Sequence, residues 1–261
     1  LSLSYRLEGV TYDQLAATQA SSIQDSITLE DIDPGKSRLS SNVAVTFTRN
    51  NTENPFYPTR GTRLTLVDEF TGGPFGGTVD FHKHRIDGRL YVPSVVKGLT
   101  TMLRARVGLL GEYANERLHH VPAYERFRLG GGSTIDPLRG YDDYSIVPEK
   151  FNRVVSQRYV LAIIPKTPVG TGFDTTYAFR DVHVRYPGGR YYAVYTAEQQ
   201  FPIVHPLHAV IFFDAGNTWD QWGEIQPFKL KTSVGIGFRM EIPMLGNIGF
   251  DHSDSKYSRN F

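Results

Sequence analysis

Apolar and polar residues alternate with a period of two through most of this chain. At that spacing the successive side chains of a strand point to opposite faces. In residues 231–242, Thr232, Val234, Ile236, Phe238, Met240 and Ile242 share one face, and Lys231, Ser233, Gly235, Gly237, Arg239 and Glu241 share the other. Residues 99–112 set Leu99, Thr101, Leu103, Ala105, Val107 and Leu109 opposite Thr100, Met102, Arg104, Arg106, Gly108 and Glu112. Tyr191, Ala193, Tyr195 and Ala197 oppose Tyr192, Val194, Thr196, Glu198 and Gln200. Ala209, Ile211, Phe213 and Ala215 oppose His208, Val210, Phe212, Asp214 and Gly216. These runs exceed the roughly 5–6 residues usual in soluble strands and reach the about 9–11 needed to cross a bilayer.

The pattern predicts about ten strands, near 2–10, 41–50, 61–71, 77–92, 99–114, 157–164, 175–186, 190–201, 207–216 and 230–242, with a further one at 246–252. Short turn signals such as Pro187-Gly188-Gly189 alternate with long polar stretches at 12–40, 113–157 and 164–176. An up-and-down barrel with two unlike ends has this layout. Soluble sandwiches and lipocalin-like barrels also alternate. The strand lengths, and charge gathered on one face (Arg104, Arg106, Arg239, Glu241) against a fully apolar other face, favour a membrane barrel. The expected fold class is therefore all-β, a transmembrane antiparallel up-and-down β-barrel in a single domain.

Composition narrows the chemistry. The 261 residues carry 28 Lys and Arg against 27 Asp and Glu, and a net charge of +1 argues against nucleic-acid binding driven by bulk charge. The absence of cysteine removes disulfides, thiolate nucleophiles and cysteine-ligated metals. Tyr (15) and Phe (16) far outnumber Trp (2), which suits a sheet with one apolar and one wet face. No Gly-x-Ser-x-Gly elbow occurs, and Gly130, Gly131 and Gly132 lack the Lys-Ser/Thr of a phosphate loop. The expectation is no enzyme, no cofactor and no metal. His82 and His84 share a face without a third ligand, His119-His120 reads as loop, and Asp142-Asp143 and Asp251 with Asp254 follow no EF-hand pattern.

Residues 128–144 are the densest signal. Three adjacent glycines let the backbone reverse sharply, and Arg139 follows before Gly140 and Tyr141. An arginine carried by such a turn into a confined space needs carboxylate partners, because an unpaired buried charge is costly. Glu198 and Asp214 each fall on the face opposite an apolar run, so both are expected to point inward.

Four segments together resemble one family. Glu125–Thr134 followed by Leu138-Arg139-Gly140-Tyr141 is similar to the sixth extracellular loop of the BamA family of outer-membrane protein insertases. Asn54–Arg63 resembles that family's mid-barrel periplasmic turn, Phe212–Trp219 a late strand, and Ser233–Gly246 its penultimate hairpin. The segments occur in the family's order, although Ile135-Asp136-Pro137-Leu138 makes the loop spacing longer than usual.

The resemblance implies a sixteen-stranded barrel, of which this chain covers about ten or eleven strands. Residues 1–261 then read as a C-terminal portion of the barrel domain without POTRA domains, and residues 251–261 as a loop leading to a final strand. It further implies that Arg139 docks in the lumen against Glu198 and Asp214, with Tyr141 as an aromatic lid on the guanidinium and Gly140 passing close to the wall. The implied function is folding and insertion of β-barrel proteins into the bacterial outer membrane. The implied partners are unfolded barrel substrates, the lipid bilayer, accessory assembly lipoproteins and periplasmic chaperones. A two-partner secretion or TamA-like barrel, or a passive porin, remains an alternative.

Overall fold

β-Branched and aromatic residues at alternate positions favour extended backbone, and the computed structural model of the chain is built from such strands. It describes residues 1–11, 37–54, 57–113, 121–131, 137–165, 173–185, 187–204, 206–242 and 246–255. In chain order the strands are β1 (Ser2–Thr11), β2 (Ser37–Asn50), β3 (Gly61–Thr71), β4 (Phe81–Pro93), β5 (Thr100–Glu112), β6 (Asn152–Pro165), β7 (Phe173–Arg185), β8 (Tyr191–Val204), β9 (Leu207–Trp219), β10 (Lys231–Ile242) and β11 (Gly246–Ser255). Among the described residues the helical segments are single 3-10 turns, at Gly73–Phe75, Ala123–Glu125, Glu149–Phe151 and Trp222–Glu224. No helix among these residues is long and apolar enough to cross a membrane, which leaves crossing by strands open.

Nine strands form one antiparallel sheet in the order β1-β2-β3-β4-β5-β8-β9-β10-β11. β5 pairs directly with β8, placing Arg104 opposite Thr196. β6 and β7 stand apart as a two-stranded hairpin within the connection between β5 and β8. This corrects the expectation that 157–164 and 175–186 are wall strands, and lowers the wall from ten or eleven strands to nine. Alternation identifies a strand with unlike faces; it does not say which sheet the strand joins.

A second correction concerns the C-terminal end. Residues 251–255, expected to be loop, complete β11, whose ladder with β10 runs from Ile242↔Gly246 to Ser233↔Ser255. Asp251, His252, Ser253, Asp254 and Ser255 contain no apolar residue, so no alternation marks them. The backbone ladder with β10 holds them extended. Polar beginnings likewise hid the first residues of β2 (Ser37) and β6 (Asn152), whereas β4 starts later than expected, at Phe81.

The connections fall at two ends of the sheet. Those at 51–60, 94–99, 205–206 and 243–245 share one end, and those at 72–80, 113–190 and 220–230, which include the longest, share the other. One face of the wall is apolar and uncovered: Leu103, Ile211, Phe213, Val234, Ile236 and Phe238 are all exposed. Register sets Leu103, Ala197, Phe213 and Val234 in a single row across four strands. A continuous apolar belt of this kind suits hydrocarbon rather than water.

The packed core lies on the opposite face, at the long-loop end. Phe81, Leu110, Tyr192 and Val194 from the wall meet Val121, Phe127, Leu129, Leu138 and Ile146 from the β5–β8 connection. Phe127 and Tyr192 pack with ring centroids 4.6 Å apart. Burying each large apolar side chain of the loop favours docking by roughly 1.5–3 kcal/mol. The inner face thus carries its own apolar patch, matched to the loop that fills it.

Candidate functional site

The β5–β8 connection is stitched before it reaches inward. Phe127 exchanges backbone hydrogen bonds with Gly189 (2.9 and 2.8 Å) and Leu129 with Ile146 (3.0 and 2.9 Å). Gly131 N–H donates to Tyr141 O at 2.7 Å, closing the neck of the tip. Gly131 has φ +74°, and a Cβ there would collide with the Asp143 carboxylate. Gly132 lies outside the described residues. The Arg106 guanidinium, rooted in β5, donates from Nη2 to Pro137 O at 2.6 Å and steadies the descending limb.

Arg139 then enters the interior. Its Nε donates to Asp214 Oδ2 at 2.6 Å and its Nη2 to Asp214 Oδ1 at 2.9 Å, a two-bond fork on one carboxylate. Nη1 reaches Glu198 Oε2 and Asp251 Oδ2, each at 3.3 Å. The acids are buried, Asp214 at 1% and Glu198 at 5% exposure. Cross-strand register explains the convergence: Thr196↔Asp214 and Glu198↔Phe212 are neighbouring pairs, so Phe212 shares the inward face between the two acids. The guanidinium carbon lies 3.3 Å from the centroid of that Phe212 ring. Burial favours the neutral form of Arg139, but the Asp214 hydrogen bonds and the charges of Asp214, Glu198 and Asp251 outweigh it and hold the proton more tightly than usual.

The aromatic face on the guanidinium is therefore that of Phe212. Tyr141, expected as the lid, donates its hydroxyl to Thr232 O at 2.9 Å and packs against the core cluster. Gly140 runs hard against the wall: its φ is +85°, and a Cβ would sit 2.9 Å from Ser233 Cβ and 3.4 Å from the Asp254 backbone.

Several residues of the site escaped sequence reasoning. Arg239 forms a second arginine layer, donating to Asp251 (2.5 and 3.1 Å) and to Glu198 Oε2 (3.2 Å). It lies over Gly237 and Gly249, where a Cβ would meet its Nη1 at 3.1 and 2.9 Å. The signal was present in the inward series Gly235, Gly237 and Arg239, but Asp251 was hidden by the loop assignment. Tyr57 arrives from the β2–β3 turn at the opposite end and stacks on His208, with centroids 3.6 Å apart. Burial, then the charge of Glu198, push its phenol up to about 12. Tyr57, Arg89, Arg104, Arg106, Gln200 and Arg139 line a cavity of about 460 Å³ beneath the docked tip.

The remaining candidates fall elsewhere. His82 Nδ1 and His84 Nε2 lie 2.9 Å apart and His84 Nδ1 lies 2.7 Å from Asp68 Oδ1, on the outer face, away from Arg139. No group of three or more metal-ligating side chains is assembled among the described residues. His119 and His120 lie outside the described residues.

The model of the Omp85 superfamily domain matches residues 1–253. The outer membrane protein assembly factor BamA of Nitratidesulfovibrio vulgaris (strain Hildenborough) is 32% identical over 163 residues, which is 54% of this chain and 19% of that protein. The crystal structure of BamA from Haemophilus ducreyi lacking POTRA domains 1–3 has the same fold, with a TM-score of 0.62 at 16% identity. That match covers 97% of this chain and 47% of the other, so the chain spans under half the length of the relatives it matches.

Proposed function

Given that the chain belongs to the Omp85 superfamily, we propose that it forms wall and loop of an outer-membrane assembly factor, a β-barrel that folds and inserts other β-barrel proteins. Its place is the bacterial outer membrane, with the apolar belt in lipid and the long-loop end outward. The observation that carries the reading is the docking of Arg139 on Asp214, Glu198 and Asp251.

The physical logic is that of strand edges. Lipid cannot satisfy backbone N–H and C=O groups, so a strand crosses a membrane only when paired on both sides. A barrel whose seam opens offers an unpaired edge to an incoming substrate strand, as in β-augmentation. The docked loop braces β8, β9 and β11 from inside while the seam moves. Apolar burial and strand pairing supply the driving force, so the reading requires no nucleotide, cofactor or enzymatic step. Its partners are unfolded barrel proteins and the bilayer, with accessory lipoproteins and periplasmic chaperones delivering the substrate.

The test uses the full-length parent protein in lipid vesicles and follows folding of an unfolded porin. Wild-type protein accelerates folding. Arg139→Ala, checked to be folded itself, slows the accelerated rate by about tenfold or more. Arg139→Lys fails to restore it, because an ammonium cannot reproduce the two-bond fork on Asp214. Steady ion conductance without acceleration would overturn the proposal in favour of a transporter or passive pore.

A further inference from the structure

The loop that delivers Arg139 is held a second time, at the barrel mouth, by a residue outside the lumen lock. Asp220 follows β9 directly. Its Oδ1 accepts from Arg126 Nη1 at 3.0 Å and lies 3.8 Å from Arg190 Nε, while Oδ2 lies 2.8 Å from Lys150 Nζ. These cations come from three separate stretches of the β5–β8 connection. Arg126 precedes the tip, Lys150 follows it, and Arg190 stands where the chain re-enters the wall as β8. One carboxylate therefore gathers both limbs of the loop.

Two features separate this cluster from ordinary surface pairing, which contributes little. Asp220 and Arg126 are largely covered, with side chains 14% and 13% exposed. The three cations also converge, so without the carboxylate they repel one another. Glu112 takes Arg190 at 2.7 Å and Glu224 takes Lys150 at 3.0 Å. Among the described residues Asp220 is the ion-pair partner of Arg126. Lys229 and Glu149, 3.1 Å apart, add a second tie between the β9–β10 connection and the loop.

We propose that Asp220 is a positioning residue: an electrostatic clasp that closes both limbs of the loop onto the end of β9 and so sets the reach of Arg139 toward Asp214. Asp214 and Asp220 are six residues apart on one rail, about 20 Å at the rise of a strand. The tip and the neck of the loop are thereby referred to the same rigid element. The consequence for assembly rests on the function proposed above; the clasp itself does not.

The experiment compares wild type, Asp220→Asn and Asp220→Glu of the full-length protein in lipid, each confirmed as folded by heat-modifiable gel mobility. Trypsin cleavage within 121–153 is followed at low and high salt. Asp220→Asn is expected to cleave about five- to tenfold faster at low salt, and Asp220→Glu to recover most of the protection. High salt speeds wild-type cleavage toward that of Asp220→Asn and changes the variant little. Equal cleavage in wild type and Asp220→Asn, or a salt response that survives the substitution unchanged, overturns the clasp. Cleavage is read without substrate, so a wild-type protein that accelerates no porin folding counts against the proposed function and leaves this result standing.

Discussion

At the scale of residues, the interior is a stack of two arginines among three carboxylates in which backbone clearance matters as much as charge. Arg139 and Arg239 share Glu198 and Asp251, and Asp214 takes the fork of Arg139. Gly140 passes Ser233 with no room for a methyl group and in the left-handed region of φ. Gly140→Ala should loosen loop docking by about 1–2 kcal/mol from backbone strain alone. A lowered temperature for loss of loop protection against protease, in a barrel that still folds, checks this. Tyr57 makes a pH-dependent contribution. Its folded phenol ionises at about 12 rather than 10.0. Below pH 10 both folded and unfolded phenols are neutral and nothing changes. Between about pH 10 and 12 the unfolded chain releases its proton first, so stability falls as pH rises. Wild type should lose more stability than Tyr57→Phe across that window, and parallel denaturation curves for the two would contradict the assignment.

At the scale of elements, strand existence was legible and strand membership was not. All eleven expected stretches became strands, most near their expected bounds, because side chains along a strand alternate between its two faces. The stretches of β6 and β7 alternate in sequence as well and still belong to a loop, since β5 finds β8 through a ladder no local pattern encodes. Excising residues 153–185 with a short glycine-serine bridge should leave the β5–β8 pairing and a folded, heat-modifiable barrel. Failure of that variant to fold in lipid would return the hairpin to the wall. β11 erred the other way: its polar end is held by pairing with β10, and it contributes Asp251 to the site.

At the scale of the whole molecule, the sheet is turned inside out relative to a soluble protein. Its exposed face is apolar and its covered face holds the charges. Substituting Ile211, which is 54% exposed on the outer belt, by Arg should cost about 2–4 kcal/mol if the site lies near the bilayer midplane. Urea unfolding in lipid vesicles measures this. A neutral outcome would mean that Ile211 faces water, which would place the belt elsewhere. Asp214→Asn on the other face leaves the belt intact and acts on loop docking.

The sequence by itself determined the strand period, the two unlike faces, the absence of cysteine chemistry and the inward parity of Glu198 and Asp214. All of these follow from local side-chain order, which a strand converts directly into facing. The partners of Arg139 beyond those two acids, the Phe212 ring beneath it, the second layer of Arg239 and Asp251, and the ties of Asp220 were decided only by the tertiary structure. Each depends on which strand lies beside which and on how a long connection folds back into the space they enclose. Contacts between residues as far apart as Arg139 and Asp251 leave no period to read.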